Sequence, residues 1–573
     1  MELAERIAAA RRDRPADLLL KNARVVEVFS GEIEETDVAL AGPWIVGLGP
    51  GYAARETLDL EGRLLAPGLI DAHVHIESAR VPPREFARAV VPRGVTTVVI
   101  DPHEIANVLG LAGIHFMLRD AAAAPFDVFA TAPSCVPASP LSTSGAAVDA
   151  VGLAQLRDEP GVIGLGEVMN YPGVIGGDAA VLAKIEVFAG RIVDGHAPGL
   201  GGARLNAYAA AGIRSDHECT TAAEAREKLR RGLWIYAREG SNARNLRALL
   251  PLVSPVTERR ICLCTDDREL EDLVREGSVD HLVRAAAAAG LDPVTAIRLA
   301  TLNTAERFGL ADRGAVAPGR RADLITFSDL AAPRAELVFK DGTIVARDGE
   351  PLWPRAAPPE PPGGNTVRVD VERLDLAVPL RGRRIRAIGV VPGQVVTEHL
   401  VLEARADGDL AAADIARDLL KIAVIERHHG SGSAGLGFVR GLGLRRGAIA
   451  GTVAHDHHNL IVAGADDRSM LSAAQAVSAA GGGIAAADGE RILACLPLPI
   501  AGLMSAEPLE RVLAGDGALL EAARALGSGL HDPYVALSFL GLEVIPALKI
   551  TDRGLVDVER FRLVPLFVEE EGP

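Results

Sequence analysis

Between residues 66 and 310, short apolar runs alternate with amphipathic stretches of helical period. This alternation limits the fold more than any other feature of the chain. Eight runs follow in order: Leu69–His75, Thr97–Ile100, Val128–Ala132, Val162–Val168, Ile192–His196, Ile213–His217, Leu233–Ala237 and Ile261–Asp266. Helical patterns such as Glu104–Leu109 and Thr221–Leu229 lie between them. Strands alternating with helices imply a parallel sheet, because a crossover helix returns the chain to the same sheet end. Eight such units over about 245 residues match a TIM-type (β/α)8 barrel, whose usual size is roughly 250 residues.

Such barrels carry their chemistry at the C-terminal strand ends. The ends here are His73 and His75, Asp101 and His103, Glu167, His196, His217 and Asp266. In Asp71-Ala72-His73-Val74-His75 the alternation of strand side chains puts both imidazoles on one face, a ready site for a divalent metal. A lone buried histidine is more often a hydrogen-bonded core residue. Several imidazoles and carboxylates meeting at one barrel mouth reverse that reading. Glu167 could bridge two cations with its two oxygens. Asp266 could hold a metal with one oxygen and take a proton with the other. Imidazole and carboxylate donors without thiolate suit Mn, Fe or Zn.

The flanks differ in texture. Asp17–Lys21, Ala23–Phe29, Val38–Leu40 and Trp44–Leu48 read as short strands, separated by turn residues such as Asn22 and Ser30-Gly31. Ala322–Phe327, Ala335–Lys340 and Thr343–Ala346 read likewise, with a hairpin signal at Lys340-Asp341-Gly342-Thr343. Residues 1–65 and 312–360 are therefore expected to build one small β-sandwich domain beside a barrel of residues 66–311. Pro354–Gly364 reads as a Pro-rich linker. Residues 365–573 form a third, α+β region. Within it, Gly430–Gly437 lacks the Gly-Lys-Ser/Thr ending of a phosphate loop and reads as a tight turn or a loop over the barrel mouth. His455, His457 and His458 read as a solvated or hydrogen-bonded turn in preference to a metal site.

The chain has a net charge of −16, which argues against nucleic-acid or anionic-membrane partners. No segment approaches 18 uninterrupted apolar residues, and the charged N-terminus lacks a signal-peptide apolar region. Five cysteines form no disulfide framework and fit a reducing cytoplasm; Cys262 and Cys264 read as small core residues.

Pro67-Gly68-Leu69-Ile70-Asp71-Ala72-His73-Val74-His75 resembles the first-strand motif of the amidohydrolase superfamily, and Gly319–Leu324 its return to the small β domain. More narrowly, the chain resembles the adenine deaminase family. That likeness rests on His75–Ser78, Asp101–Val108, Gly166–Asn170, Asp194–Pro198, Ser215–Glu218 and Cys264–Arg268, and extends through His429–Gly432 and Val453–Asp456. Many superfamily members use a carboxylated lysine at the fourth strand. Glu167 stands there in this chain, and Lys184 lies in the following helix; the narrower family also looks to use a glutamate at that point.

The resemblance implies a binuclear divalent centre, with Mn or Fe favoured and Zn possible, that hydrolyses adenine to hypoxanthine and ammonia in purine salvage. His73, His75 and Glu167 would anchor one metal; His196 and Glu167 a second, with His217 as ligand or orienter. Water on such a cation ionises near pH 7, against about 16 when free, and Asp266 would be the general base. Asp101 and Glu104 are further candidates for proton delivery or an extra metal. Asp267 and Glu77 are candidates for substrate contact. A cytoplasmic homo-oligomer, dimer or larger, is expected. The alternatives are an amidohydrolase acting on another heterocyclic amine or cyclic amide, and a catalytically silent scaffold.

Overall fold

The computed structural model describes residues 1–568, so the last five positions of the third region lie outside the described residues. Within 66–311 the parallel strands are β1 (Leu69–His75), β2 (Val95–Ile100), β3 (Asp127–Ala132), β4 (Val162–Val168), β5 (Ile192–Gly195), β6 (Ser215–Asp216), β7 (Trp234–Arg238) and β8 (Ile261–Cys264). Each of the eight apolar runs coincides with one of them to within about two residues at either end. Strands β5 to β1 form one parallel sheet in the order β5-β4-β3-β2-β1, and β6-β7-β8 a second. The amide of Arg214 donates to the Val193 carbonyl across the β5–β6 gap (3.1 Å). On the other side Asp266 and Asp267, just past β8, pair in parallel with Val74 and His75. The result is a curled, TIM-like domain. Every residue of β1 and β2 is buried, as expected of strands covered on both faces. Ile70, Ala72, Val99, Tyr236, Cys262 and Cys264 share one apolar cluster, so both cysteines are core residues as read from the sequence.

The strands of the two flanks join one nine-stranded sheet. Leu64–Pro67 pairs antiparallel with Leu324–Phe327, stitching the segment before the barrel to the segment after it. The sandwich expected here thus takes the form of a single continuous sheet. Asn22 does not separate two strands. Ala16–Glu27 is one strand, and Asn22 sits at φ 54° where the register to Glu32–Ala41 shifts. Asn tolerates this left-handed conformation, and the side chains of Asp37 and Asp59 accept its backbone and side-chain N–H groups.

The third region is built on an eight-stranded sheet that includes Leu419–Ile425, Ala434–Arg440 and Leu460–Gly464. The Gly-rich run is resolved differently from its reading as one loop. Its second half is the Ala434–Arg440 strand, and the turn before it folds around Glu426, which accepts the amides of His428, His429 and Ser431. Helices Asp467–Ala479 and Leu509–Leu526 pack on this sheet. No helix among the described residues is long and apolar enough to cross a membrane.

Candidate active site

Strand β1 delivers His73 and His75 with their Nε2 atoms 3.1 Å apart. The Nδ1–H of His75 donates to the Asp101 carbonyl (2.8 Å), which turns its Nε2 toward the cluster. Glu167, on β4, lies at the centre. Its Oε1 is 3.3 Å from His75 Nε2, 3.7 Å from His73 Nε2 and 3.4 Å from His103 Nδ1. Its Oε2 is 2.6 Å from His196 Nδ1 and 3.2 Å from His217 Nε2. The two oxygens therefore face two different imidazole sets. Asp266 closes the first set, with Oδ1 3.2 Å from His75 Nε2 and 3.8 Å from His73 Nε2.

A surrounding layer fixes these groups. Asp101 Oδ2 accepts the Glu167 amide (2.8 Å), which needs glycine at 166, because a Cβ there would stand 2.1 Å from that oxygen. Asp101 thus orients Glu167, while its Oδ1 lies 3.5 Å from His103 Nδ1. Thr265 donates through its amide and hydroxyl to Asp71, which also accepts the His73 amide. The fully buried Lys228 donates to the Ala197 carbonyl (2.7 Å), Asp216 (2.9 Å) and Glu224 (2.7 Å). Its three donors are thereby spent tying the residue after His196 to the residue before His217. Lys184, in helix Ala179–Val187, donates instead to the Ser134 carbonyl, well placed to shape the strand ends but not to replace Glu167.

The electrostatics favour cations. Burial raises the pKa of Glu167, but His217 and His196 hold it well below the ordinary carboxylate value. Burial opposes charge on His75, yet Asp266 and Glu167 push its pKa well above the usual imidazole range. Asp266 is likewise kept ionised against burial, chiefly by Arg238, whose Nη1 donates to Oδ2 (2.5 Å). Carboxylate oxygens and imidazole nitrogens converge within ligand spacing in sets such as His73/His75/Asp266 and His73/Glu167/His217. Oxygen and imidazole donors at this spacing fit divalent ions.

Beside the cluster lies a cleft walled by His103, Arg238, Asp267 and, from the third region, His455, Asp456 and Phe539. Asp267 accepts the Ser78 hydroxyl (2.5 Å), and Glu77 accepts the Ile105 amide (3.2 Å). Both line an adjoining cleft that shares Asp267 and His455. Glu104, a candidate for proton delivery or an extra metal, faces the third region. It accepts from His455 Nδ1 (2.5 Å) and from His458 Nε2. The histidine turn is therefore buried against the barrel mouth, and the solvated alternative is corrected. Sequence reading placed His103 among the strand-end residues and Glu218 and Asp456 in family-like stretches without assigning them a role, and did not single out Arg238 or Phe539. Arg238 carried a signal, a charge closing the apolar run Trp234–Ala237. Asp456 carried one in the family-like stretch Val453–Asp456, whereas Phe539 carried none, because its place depends on how the third region docks.

The amidohydrolase family model matches residues 64–346, and the model of the adenine deaminase C-terminal domain matches residues 394–562. Fold and site together define a hydrolase of the amidohydrolase class, a family that implies a divalent metal. An adenine deaminase of Desulfatibacillum aliphaticivorans is 50% identical over 575 residues, 98% of this chain and 99% of that protein. One of Methanothrix thermoacetophila is 49% identical over 99% of this chain and 100% of its own length. The chain belongs to the adenine deaminase family.

Proposed function

We propose that the chain hydrolyses adenine to hypoxanthine and ammonia, and that it does so with two divalent cations. The observation that carries this is Glu167, whose two oxygens face two imidazole sets while Asp266 stands opposite. His73, His75, Glu167 and Asp266 would hold one ion, and His196, His217 and Glu167 the other. Mn or Fe is favoured by the family, and Zn is compatible with the donors. Bound there, the cations supply acidified water and charge withdrawal.

The chain's own groups do the rest. Asp266 takes a proton from the attacking water and returns it to the departing amino nitrogen, while Arg238 donates to its Oδ2. His217 orients the nucleophile. Asp101 fixes Glu167 through its backbone amide. Asp267 and Glu77 contact the purine ring, whose C6 accepts water and loses ammonia. The catalytic framework is read as a closed (β/α)8 barrel over 66–311, a small β domain from 1–65 and 312–360, and a C-terminal domain over 365–573. A homo-oligomer in the cytoplasm serving purine salvage belongs to the same proposal; the five unpaired cysteines and the net charge of −16 accord with that setting and with the absence of a nucleic-acid partner.

The test is the absorbance change from adenine to hypoxanthine with added Mn, with and without a chelator, beside ammonia release from a panel of amino-heterocycles. Chelator-sensitive turnover of adenine above the rest is expected. Equal turnover of unrelated heterocycles, or none of adenine, would overturn the assignment.

A further inference from the structure

The two-cation reading leaves a second set of ligating side chains unused, in the seam where the third region meets the barrel. His103 turns its two nitrogens to different groups. Nδ1 lies 3.4 Å from Glu167 Oε1, whereas Nε2 lies 3.6 Å from Glu104 Oε1 and 3.9 Å from Asp456 Oδ1. His103, Glu104 and Asp456 are all buried, and their ligand atoms lie within 4.8 Å of one another. His455 Nδ1 donates to Glu104 Oε1 (2.5 Å) and lies 4.0 Å from Asp456 Oδ1, so it holds Glu104 in place beside the set.

Separations of 3.6 and 3.9 Å are too long for hydrogen bonds. They suit neighbouring ligands of one ion, which at bond lengths of roughly 2.0–2.2 Å stand about 3–4 Å apart. A second observation points the same way. Asp456 Oδ2 is buried with no hydrogen-bond partner, and the residue is only 3% exposed. Buried carboxylates and imidazoles are otherwise paired. His458 has a different part. Its Nδ1 accepts the Ala454 amide (3.3 Å), so Nε2 carries the proton that it donates to Glu104 Oε2. That bond ties one oxygen of Glu104 to the turn and leaves Oε1 facing His103, His455 and Asp456.

We propose that this seam is a third divalent-cation site, held by His103 Nε2, Glu104 and Asp456, with His455 positioning Glu104 and His103 linking the site to the centre around Glu167. Its ligands come from the barrel and from the third region, so the ion clamps one to the other across the substrate cleft. The set contains no thiolate, and Mn2+ is the probe it suits.

The full-length protein is loaded with Mn2+, freed of loose metal by gel filtration, and its Mn per chain counted by mass spectrometry. Three ions are expected for the wild type and two for Asp456→Asn, with circular dichroism and elution volume unchanged. A wild-type count of two that Asp456→Asn leaves at two overturns the proposal, as does a count of three that the variant leaves at three. Should the variant misfold, Mn anomalous scattering from wild-type crystals decides: a peak within bonding distance of His103 Nε2 and Asp456 supports the site, and its absence overturns it. His196→Ala separates this outcome from the two-cation reading, whose failure shows as a wild-type count that His196→Ala does not lower, whatever Asp456→Asn does.

Discussion

Asp266 divides its oxygens between two partners, and that division sets its expected mutant behaviour. Oδ1 faces the β1 imidazoles and Oδ2 the guanidinium of Arg238. Asp266→Asn keeps an oxygen toward the ligands but cannot accept the proton. The expected result is a fall in kcat of about 10²- to 10⁴-fold, the usual contribution of a general base, with metal content close to wild type. Near-normal turnover would remove Asp266 as the base. Lys228 matters through its surroundings. Removing it strands Asp216 as a buried, uncompensated charge one residue from His217, a loss of about 3–5 kcal/mol. Lys228→Met is therefore expected to lower the urea midpoint and to lose metal together, since His196 and His217 both lean on it. A variant that keeps full metal occupancy at reduced stability would show that Lys228 only supports the fold. At this scale the sequence was legible where a strand period fixed direction. His73 and His75 had to share a face. The partners of Asp266 were not legible, because Arg238 comes from another strand.

At the scale of elements, the barrel strands supply the floor of the cleft and segments of the third region its roof. Phe539 stacks on His455, with ring centroids 4.5 Å apart. Behind this roof the buried Lys549 donates to the carbonyls of Val395 and Phe539, both at 2.8 Å. Burial pulls its pKa down to about 7, partly offset by Glu543. Between that value and the ordinary lysine pKa the unfolded chain binds the extra proton, so this group's contribution to stability rises with pH across that interval. The urea midpoint of the wild type is expected to gain on that of Lys549→Met between pH 7 and 10. A gap that stays constant, or narrows, would mean that Lys549 is charged in the folded protein. Strand existence was legible from runs of apolar residues, and helix Ala222–Arg230 begins where Thr221 caps the Glu224 amide. The continuity of Ala16–Glu27 was not, because Asn22 marks a turn and a bulge equally well.

For the whole molecule, cation binding and folding are coupled, because the ligands come from segments hundreds of residues apart. Ions that bind only the folded chain add about 2.7 kcal/mol per site at a hundredfold excess over Kd. Chelation is expected to lower the unfolding temperature by several degrees and abolish turnover, with both restored by Mn2+. An unfolding temperature indifferent to chelator would show that the cluster holds no tightly bound ion. The sequence by itself determined the alternation of strand and helix, the residues at the strand ends and the chemistry of their donors. These follow from local periodicity and side-chain type, which a short window of residues contains. Only the tertiary structure decided that Glu104 meets His455 and His458 and that Asp456 and Phe539 wall the cleft. Those contacts join positions about 350 or more apart in sequence. They depend on how two separately patterned sheets dock, and side-chain pattern within either sheet does not encode that.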